Sequence, residues 1–246
     1  MLRSTPAVTS AMDRREFLKA GITSAVSCAT LTACAQQYVT LRYRLRIIVD
    51  VDGQQYEGAS VIETEIADRR GTWWLPPEAP QLVFNSRGDA VVIDLREHGL
   101  LFGLLVRPEF HDGFAAGNAF DILSSFLPRD QATDLDSSLR NVLRLEGEFQ
   151  LREADQPTLV RFRDISDPTT AKSVDAGRFA EIYGAGASSQ RATISVTSDP
   201  ITRGIDKVLP WLANADDRGT GKLRIVRPQM TVAQLLSVRN FKADGS

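Results

Sequence analysis

The two histidines of the chain, His98 and His111, are the first candidates for chemistry because carboxylates lie beside both of them. Glu97 precedes His98, while Glu109 and Asp112 flank His111, so imidazoles and carboxylates together could form a zinc-type ligand set. The chain lacks the His-x-x-x-His spacing that places two imidazoles on one helix face. His98 falls in a predicted turn, and His111 precedes a predicted helix. We therefore expect both to be solvent-exposed loop residues, with no bound metal and no cofactor.

Other catalytic and ligand-binding motifs are incomplete. A serine nucleophile would need a Gly-x-Ser-x-Gly turn, and a cysteine nucleophile would need a thiol beside a histidine; neither occurs after the first 37 residues. The glycine-rich segment Arg218–Leu223 has leucine after its Gly-Lys pair, where a phosphate-binding P-loop needs serine or threonine. We predict a hairpin or loop at this segment and assign no catalytic residue.

Trp73 and Trp74 form an aromatic pair that could serve as a binding platform. Tryptophan supplies a large contact area at a low cost in conformational entropy, which suits a partner-binding surface. The sequence Trp73-Trp74-Leu75-Pro76-Pro77 is also compatible with a long loop that plugs the core. Both interpretations stay open, and packing is the favoured one.

The segment from Met12 to Gln37, MDRREFLKAGITSAVSCATLTACAQQ, has the organisation of an export signal and not of a folded element. Arg14-Arg15, followed by Glu16-Phe17-Leu18-Lys19, resembles the core of the twin-arginine (Tat) translocation signal, with Asp13 where the usual core has serine or threonine. The apolar stretch after Lys19 is short and rich in small and polar residues. Such a stretch is typical of a cleaved segment and not of a membrane span of roughly 20 apolar residues.

Leu31-Thr32-Ala33-Cys34 resembles the lipobox of bacterial lipoproteins, in which the cysteine is acylated with fatty acids such as palmitate and becomes the new N-terminus. We therefore expect residues 1–33 to be a cleaved Tat-type lipoprotein signal peptide and residues 34–246 to be a single mature domain. The lipid on Cys34 would anchor the protein to the periplasmic face of a cell-envelope membrane. Ala35 after the cysteine favours the outer membrane.

Three alternatives stay open for the N-terminus. Cleavage after Ala35 also fits the small-x-small rule, because Ala33 and Ala35 flank Cys34. The second alternative is a buried N-terminal helix, although such a helix would not need paired arginines before a small-residue cleavage box. Met12 is a second candidate start, because Met12-Asp13-Arg14-Arg15 forms a compact basic region ahead of the apolar stretch.

Composition limits the classes of partner. The chain carries a formal net charge of −2 and no basic excess, which argues against a nucleic-acid-binding protein. Of its two cysteines, Cys28 lies in the segment that is cleaved and Cys34 is the residue that is acylated. The mature part therefore has no disulfide and must be stabilised by an ordinary hydrophobic core. The expected partners are the membrane, through the lipid anchor, and an envelope protein.

The mature chain opens with β-structure. Between Val39 and Val49 apolar residues alternate with polar ones, which is the period of a half-buried strand. Asp52-Gly53 then predicts a tight turn, with Tyr56–Ile66 as the returning strand. Three more strands are predicted at Gln81–Phe84, Asp89–Leu95 and Leu100–Val106, with turns at Asn85–Gly88 and Arg96–Gly99.

The rest of the chain mixes short helices with strands. Helical patterns are predicted at Asp112–Leu127, Asp134–Leu143, Val174–Tyr183 and Asp199–Leu209, and after a capping box at Thr231–Gln234. Further strands are predicted at Leu145–Leu151, Thr158–Arg163, Arg191–Thr197 and Lys222–Val226. This mixture indicates an α+β fold, organised as a sheet-rich single domain with an antiparallel β-meander and several short helices.

Three segments resemble those of a group of uncharacterised exported proteobacterial proteins, namely Gly88–Leu95, Arg178–Gly184 and Ile194–Leu212. The resemblance covers only part of the mature chain. It implies an intact domain and carries no activity and no binding residue onto this chain.

Taken together, these patterns predict an exported, lipid-anchored protein of the cell envelope that acts as a binding or structural module. The alternative is a periplasmic hydrolase whose active residues are scattered along the chain. An exposed apolar patch near Trp73 would favour the binding module, whereas a pocket lined by carboxylates would favour the hydrolase.

Overall fold

Strands and short helices alternate along the chain in a computed structural model that describes residues 37–70, 76, 78–79, 81–104, 115–174, 178–214 and 241–244. The strands are β1 (Gln37–Val51), β2 (Gln54–Asp68), β3 (Leu82–Asp89), β4 (Val91–Asp94), β5 (Leu100–Gly103), β6 (Phe149–Gln150), β7 (Leu159–Phe162), β8 (Ala171–Val174), β9 (Ser188–Val196) and β10 (Lys242–Asp244). The α-helices are α1 (Ala115–Ser124), α2 (Leu135–Val142), α3 (Phe179–Tyr183), α4 (Ile205–Val208) and α5 (Trp211–Asn214). These elements confirm the predicted α+β, sheet-rich class.

A long hairpin of β1 and β2 forms the centre of the larger sheet. The two strands pair antiparallel along their whole length, from Gln37 opposite Asp68 to Val51 opposite Gln54. The turn residues Asp52 and Gly53 both have positive φ angles, 52° and 73°, as a two-residue type I′ turn requires. The predicted hairpin and its Asp-Gly turn are therefore confirmed.

The residue types of β1 explain its burial, because successive side chains of a strand point to opposite faces. Arg42, Arg44 and Arg46 lie on the outer face. The inner face is buried and consists of Leu41, Tyr43, Leu45, Ile47, Val49 and Val51. Burial from all sides raises the pKa of the Tyr43 hydroxyl above its usual range.

The strands form two antiparallel sheets within one domain. The larger sheet has the order β10-β3-β2-β1-β9-β6, and the smaller sheet has the order β4-β5-β7-β8. The predicted meander therefore holds for β1, β2 and β3, whereas β4 and β5 form a hairpin in the second sheet. The chain changes sheet at Ala90, whose N–H donates to the carbonyl of Phe241 at 2.7 Å.

The predicted turn at Asn85–Gly88 is wrong, because β3 continues through these residues. Asn85, Ser86 and Arg87 pair with β2, and the hydroxyl groups of Thr64 and Ser86 lie 3.0 Å apart. Gly88 pairs with Ala243 of β10. Each of these residues therefore pairs with at least one neighbouring strand, so residue types that usually favour turns are held extended.

Two predicted helices are present in the described residues. α2 matches its predicted segment, and Asp134 caps it by accepting a hydrogen bond from the Ser137 N–H at 2.8 Å. α1 lies within the predicted segment and packs Phe120 against Phe84 of β3, with 6.5 Å between the ring centroids. Three predictions lie outside the described residues. They are the helix cap at Asp112, the strand at Lys222–Val226 and the capping box at Thr231–Gln234.

Two other helices are shorter than predicted. The helix expected from Val174 does not begin there, because Val174 is the last residue of strand β8, which pairs with β7. The helix that is present, α3, is short and ends at Tyr183 before Gly184, as expected. The helix expected from Asp199 begins only at Ile205, because Thr202 is hydrogen-bonded to Val61 of β2 through both its N–H and its hydroxyl group. In both cases a strand competes for the residues that the helical pattern included.

The core lies where the two sheets face each other. A Cβ atom placed on Gly103 of β5 would lie 2.2 Å from Cδ1 of Ile47 on β1. One placed on Gly58 of β2 would lie 2.3 Å from the carbonyl oxygen of Val92 on β4. Real Cβ atoms do not approach other atoms this closely. A larger residue at position 58 would clash with backbone, and one at position 103 would force the Ile47 side chain to move.

An aromatic group joins the second sheet to the C-terminal part of the chain. The ring of Phe102 lies 5.5 Å from that of Phe162 and 6.1 Å from that of Phe241, and Trp211 meets Phe241 edge-on at 5.6 Å. Edge-to-face contacts at these distances are favourable beyond the area that they bury. Phe241 directly precedes β10, so this packing positions the last strand beside β3.

Candidate functional site

Three loops meet at the tip of the β1–β2 hairpin. They are the Asp52-Gly53 turn, the Arg96–Gly99 turn between β4 and β5, and the Gly184–Ala187 loop between α3 and β9. A Cβ atom on Gly186 would lie 3.4 Å from the Cα atom of Asp52, so the third loop touches the hairpin tip. Because the first two loops belong to different sheets, the fold and not the local sequence brings them together.

His98 is held on two sides at this tip. Its Nε2 atom lies 2.8 Å from Oδ2 of Asp52 and 3.9 Å from Oε1 of Glu97. The ring of Tyr183 on α3 meets the imidazole edge-on, with 6.1 Å between the ring centroids. His98 thus lies in the predicted turn, but its side chain is only 25% exposed, whereas that of Glu97 is 86% exposed.

The turn that carries Glu97 and His98 is fixed by Asp94. The Asp94 carboxylate accepts a hydrogen bond from the Arg96 N–H at 2.9 Å and pairs with the Arg96 guanidinium at 3.2 Å. Arg96 has a positive φ angle of 59°, a conformation that non-glycine residues adopt rarely and that these contacts support. The backbone hydrogen bond from Leu95 to the carbonyl of Gly99, at 2.9 Å, closes the turn.

Asp52, Glu97 and His98 could act chemically as a group, because their ligand atoms all lie within 4.8 Å of one another. One imidazole and two carboxylates can bind a divalent cation, and an imidazole beside a carboxylate can also act as a general base. A serine-type mechanism would need a hydroxyl on the other imidazole nitrogen. No hydroxyl group of the described residues is hydrogen-bonded to the His98 ring. The cluster therefore fits cation binding better than nucleophilic catalysis.

Asp89 is a second unusual carboxyl group, and it is almost fully buried at the end of β3. Its Oδ2 atom accepts a hydrogen bond from the Ile205 N–H at 3.0 Å, and its carbonyl accepts one from the Ser60 hydroxyl. Burial raises the pKa of the Asp89 carboxyl group, against the opposing effects of the Ile205 N–H and of the positive charges of Arg203 and Lys242. Among the described residues Oδ1 has no hydrogen-bond partner. Because the Asp89 side chain is buried away from solvent, we assign it a structural role.

The outer face of the larger sheet carries arginines that are paired with carboxylates. Their ion pairs are Arg42 with Glu63, Arg44 with Asp199, and Arg46 with Glu57 and Glu148. Each guanidinium on this face of β1 thus has an acidic partner. The face is polar and close to neutral, unlike the basic surfaces that bind nucleic acids.

Most of the site residues predicted from the sequence lie outside the described residues; they are Arg14, Arg15, Cys34, Trp73, Trp74, His111, Glu109, Asp112 and Arg218–Leu223. The structure brings Glu97 and His98 together with Asp52, which the sequence predicted only as a turn residue. The hairpin register could have indicated that Asp52 lies at a sheet end. No sequence feature indicates that the β4–β5 turn lies at the same end.

Comparison with protein-family models, with curated proteins and with solved structures gives no significant match. No helix among the described residues is long and apolar enough to cross a membrane. Function is therefore inferred from the residues of this chain and from their geometry.

Proposed function

We propose that this chain is a Tat-exported lipoprotein, anchored at the periplasmic face of a cell-envelope membrane, that acts as a binding or structural module. The observation that carries the proposal is the spacing between the signal and the fold. The arginine pair at Arg14 and Arg15 begins the signal and Cys34 ends it, while β1 begins at Gln37. The sheet therefore starts almost directly after the residue that would carry the lipid.

This spacing gives a short tether. Three residue steps separate Cys34 from Gln37, and an extended chain spans at most about 3.6 Å per residue, or about 11 Å in total. Lipidation at Cys34 would therefore keep the Gln37 end of β1 close to the membrane surface. At about 3.3 Å per residue, the Asp52 turn lies roughly 50 Å along the strand from that end. Such a tether suits a module that works beside the membrane in which it is anchored.

The two ends of the connection that contains Trp73 and Trp74 support a binding role near the membrane. Asp68, the last residue of β2, lies opposite Gln37, and it also pairs with Leu82, the first residue of β3. The connection that contains Trp73 and Trp74 thus leaves and re-enters the sheet at the Gln37 end. An envelope protein partner bound by these tryptophans would lie on the anchor side of the sheet. The paired arginines on the outer face of the sheet support a protein partner over a nucleic acid.

The alternative is a periplasmic hydrolase. The contact between His98 and Asp52 is the observation that bears on it, because an imidazole beside a carboxylate can act as a general base. It is the less favoured proposal, since the chain offers no recognised nucleophile motif.

Metabolic labelling with a fatty-acid probe tests the lipoprotein proposal. The wild-type chain should be labelled and should fractionate with the outer membrane, whereas Cys34→Ala should remove the label and release the protein from membranes. Cys28→Ala is the matched control, because Cys28 is the other cysteine and lies inside the cleaved signal. Equal labelling of the Cys34→Ala variant would exclude acylation at Cys34. A pull-down from detergent-solubilised envelopes then identifies the partner.

A further inference from the structure

We propose that Asp52, Glu97 and His98 form a binding site for a divalent transition-metal ion of the zinc class at the tip of the β1–β2 hairpin. The inference goes beyond the proposed function, because neither lipid anchoring nor partner binding requires a metal. It also differs from the prediction made from the sequence, which expected no bound metal and assigned Asp52 only to the hairpin turn.

The spacing of the ligand atoms fits a shared ion. Zn²⁺ binds imidazole nitrogen and carboxylate oxygen at about 2.0–2.2 Å, so two ligand atoms of a tetrahedral site lie roughly 3.4 Å apart. The Nε2 atom of His98 lies 2.8 Å from the Asp52 carboxylate and 3.9 Å from that of Glu97, values on either side of this spacing. The Glu97 side chain is 86% exposed, so it has room for the small movement that would equalise the distances.

The charge of the cluster favours a divalent cation. Several other exposed carboxylates among the described residues are paired with arginine, as Asp94 is with Arg96. Among the described residues, the carboxylates of Asp52 and Glu97 have the His98 imidazole as their polar partner and no arginine or lysine. The two carboxylates therefore place two negative charges within reach of one ion, and a divalent cation cancels both of them.

Two of the three ligands, Asp52 and His98, are also held in place before any ion binds. Asp52 is fixed by the hairpin turn and by its contact with the Gly186 loop. His98 packs against the edge of the buried Tyr183 ring. An ion here would connect the larger sheet to the turn between β4 and β5 of the smaller one. Three protein ligands leave a fourth position for water or for a group of a partner, as in open zinc sites.

Zinc titration of the chelator-treated full chain, purified in detergent, tests the site by isothermal titration calorimetry. The key variants are Asp52→Asn and His98→Ala. Asparagine suits position 52 because it removes the charge but still tolerates the positive φ angle of the turn. Glu181→Gln is the matched control, because Glu181 is an exposed carboxylate on α3 that pairs with Arg178 and lies outside the cluster.

The wild-type chain should bind one Zn²⁺, and each key variant should bind it at least tenfold more weakly, while Glu181→Gln stays within twofold of wild type. Zinc should also raise the melting temperature of the wild type but not that of Asp52→Asn, because an ion that binds only the folded state stabilises it. An excess of Mg²⁺ should not displace the zinc, since Mg²⁺ prefers oxygen ligands alone. The proposal is overturned by an unaltered zinc affinity in Asp52→Asn or His98→Ala, by displacement with Mg²⁺, or by a wild type that binds no zinc.

Discussion

Gly103→Ala should destabilise the protein by pressing one sheet against the other, and Ile47→Val should partly restore its stability. The new Cβ atom would lie 2.2 Å from Cδ1 of Ile47. The next atoms, Cβ of Val91 at 3.4 Å and Cγ1 of Ile47 at 3.7 Å, are at ordinary contact distances. The clash therefore rests on a single methyl group, and valine at position 47 lacks that group.

The magnitudes follow from core packing. An extra methyl group in a well-packed core costs about 1–3 kcal/mol. Ile47 is fully buried, so Ile47→Val alone should cost about 0.5–1.5 kcal/mol through the cavity that it leaves. In the double variant the alanine methyl group occupies that cavity. The double variant should therefore lose less unfolding free energy than the two single variants lose in sum, by about 1 kcal/mol or more.

Urea denaturation followed by circular dichroism measures the four unfolding free energies. Gly99→Ala is the matched control, because Gly99 flanks the same strand and has a positive φ angle. A Cβ atom placed on Gly99 would meet no other atom within 4 Å. Its destabilisation, about 1 kcal/mol from backbone strain, should be independent of Ile47→Val. Strict additivity between Gly103 and Ile47 would refute the close approach of the two sheets.

Three further predictions concern charge, export and the tryptophan pair. Burial places the folded-state pKa of Asp89 above the unfolded value of about 3.9. The stability that this group contributes is therefore fully present below about pH 3.9, and it is lost as the pH rises through the folded-state pKa. Asp89→Asn should therefore gain unfolding free energy relative to wild type as the pH rises from about 4 to 7 in urea titrations, and a constant difference would contradict this. Replacing Arg14 and Arg15 together with lysine should block export, as membrane fractionation can show, because the Tat receptor reads the arginine pair; unchanged export would indicate the general secretory route. Trp73→Ala and Trp74→Ala should each lower the unfolding free energy by about 3–5 kcal/mol if the rings are packed, whereas stable variants with weakened partner capture would indicate a binding surface.

The local features of the fold were predictable because they depend on residues close in sequence. The alternation between Val39 and Val49 predicted β1, and Asp52-Gly53 predicted its turn, since both follow from strand periodicity and turn geometry. The continuation of β3 through Asn85–Gly88 was not predictable in this way. It depends on pairing with β2 and with β10, and β10 comes from the far end of the chain.

The candidate site shows the same division between local and long-range information. The turn that carries Glu97 and His98 was predicted from its own residues. The partner Asp52 lies 46 positions away along the chain and belongs to the other sheet. Its position follows from how two sheets pack, and no pattern in a single sequence encodes that packing. The predictions for Cys34 and for the tryptophan pair stay predictions, because these residues lie outside the described part of the chain.

The central position of β1 determines how the protein would carry a mechanical load. β1 is bonded to β2 over its whole length and to β9 from Tyr43 to Asp50. Ladder hydrogen bonds lie perpendicular to their strands, so a pull on Gln37 along the strand strains many of them together in shear and not one after another. A protein tethered through Cys34 receives such a pull whenever a bound partner moves relative to the membrane. The strand next to the proposed anchor is thus well placed to resist being drawn out of its sheet.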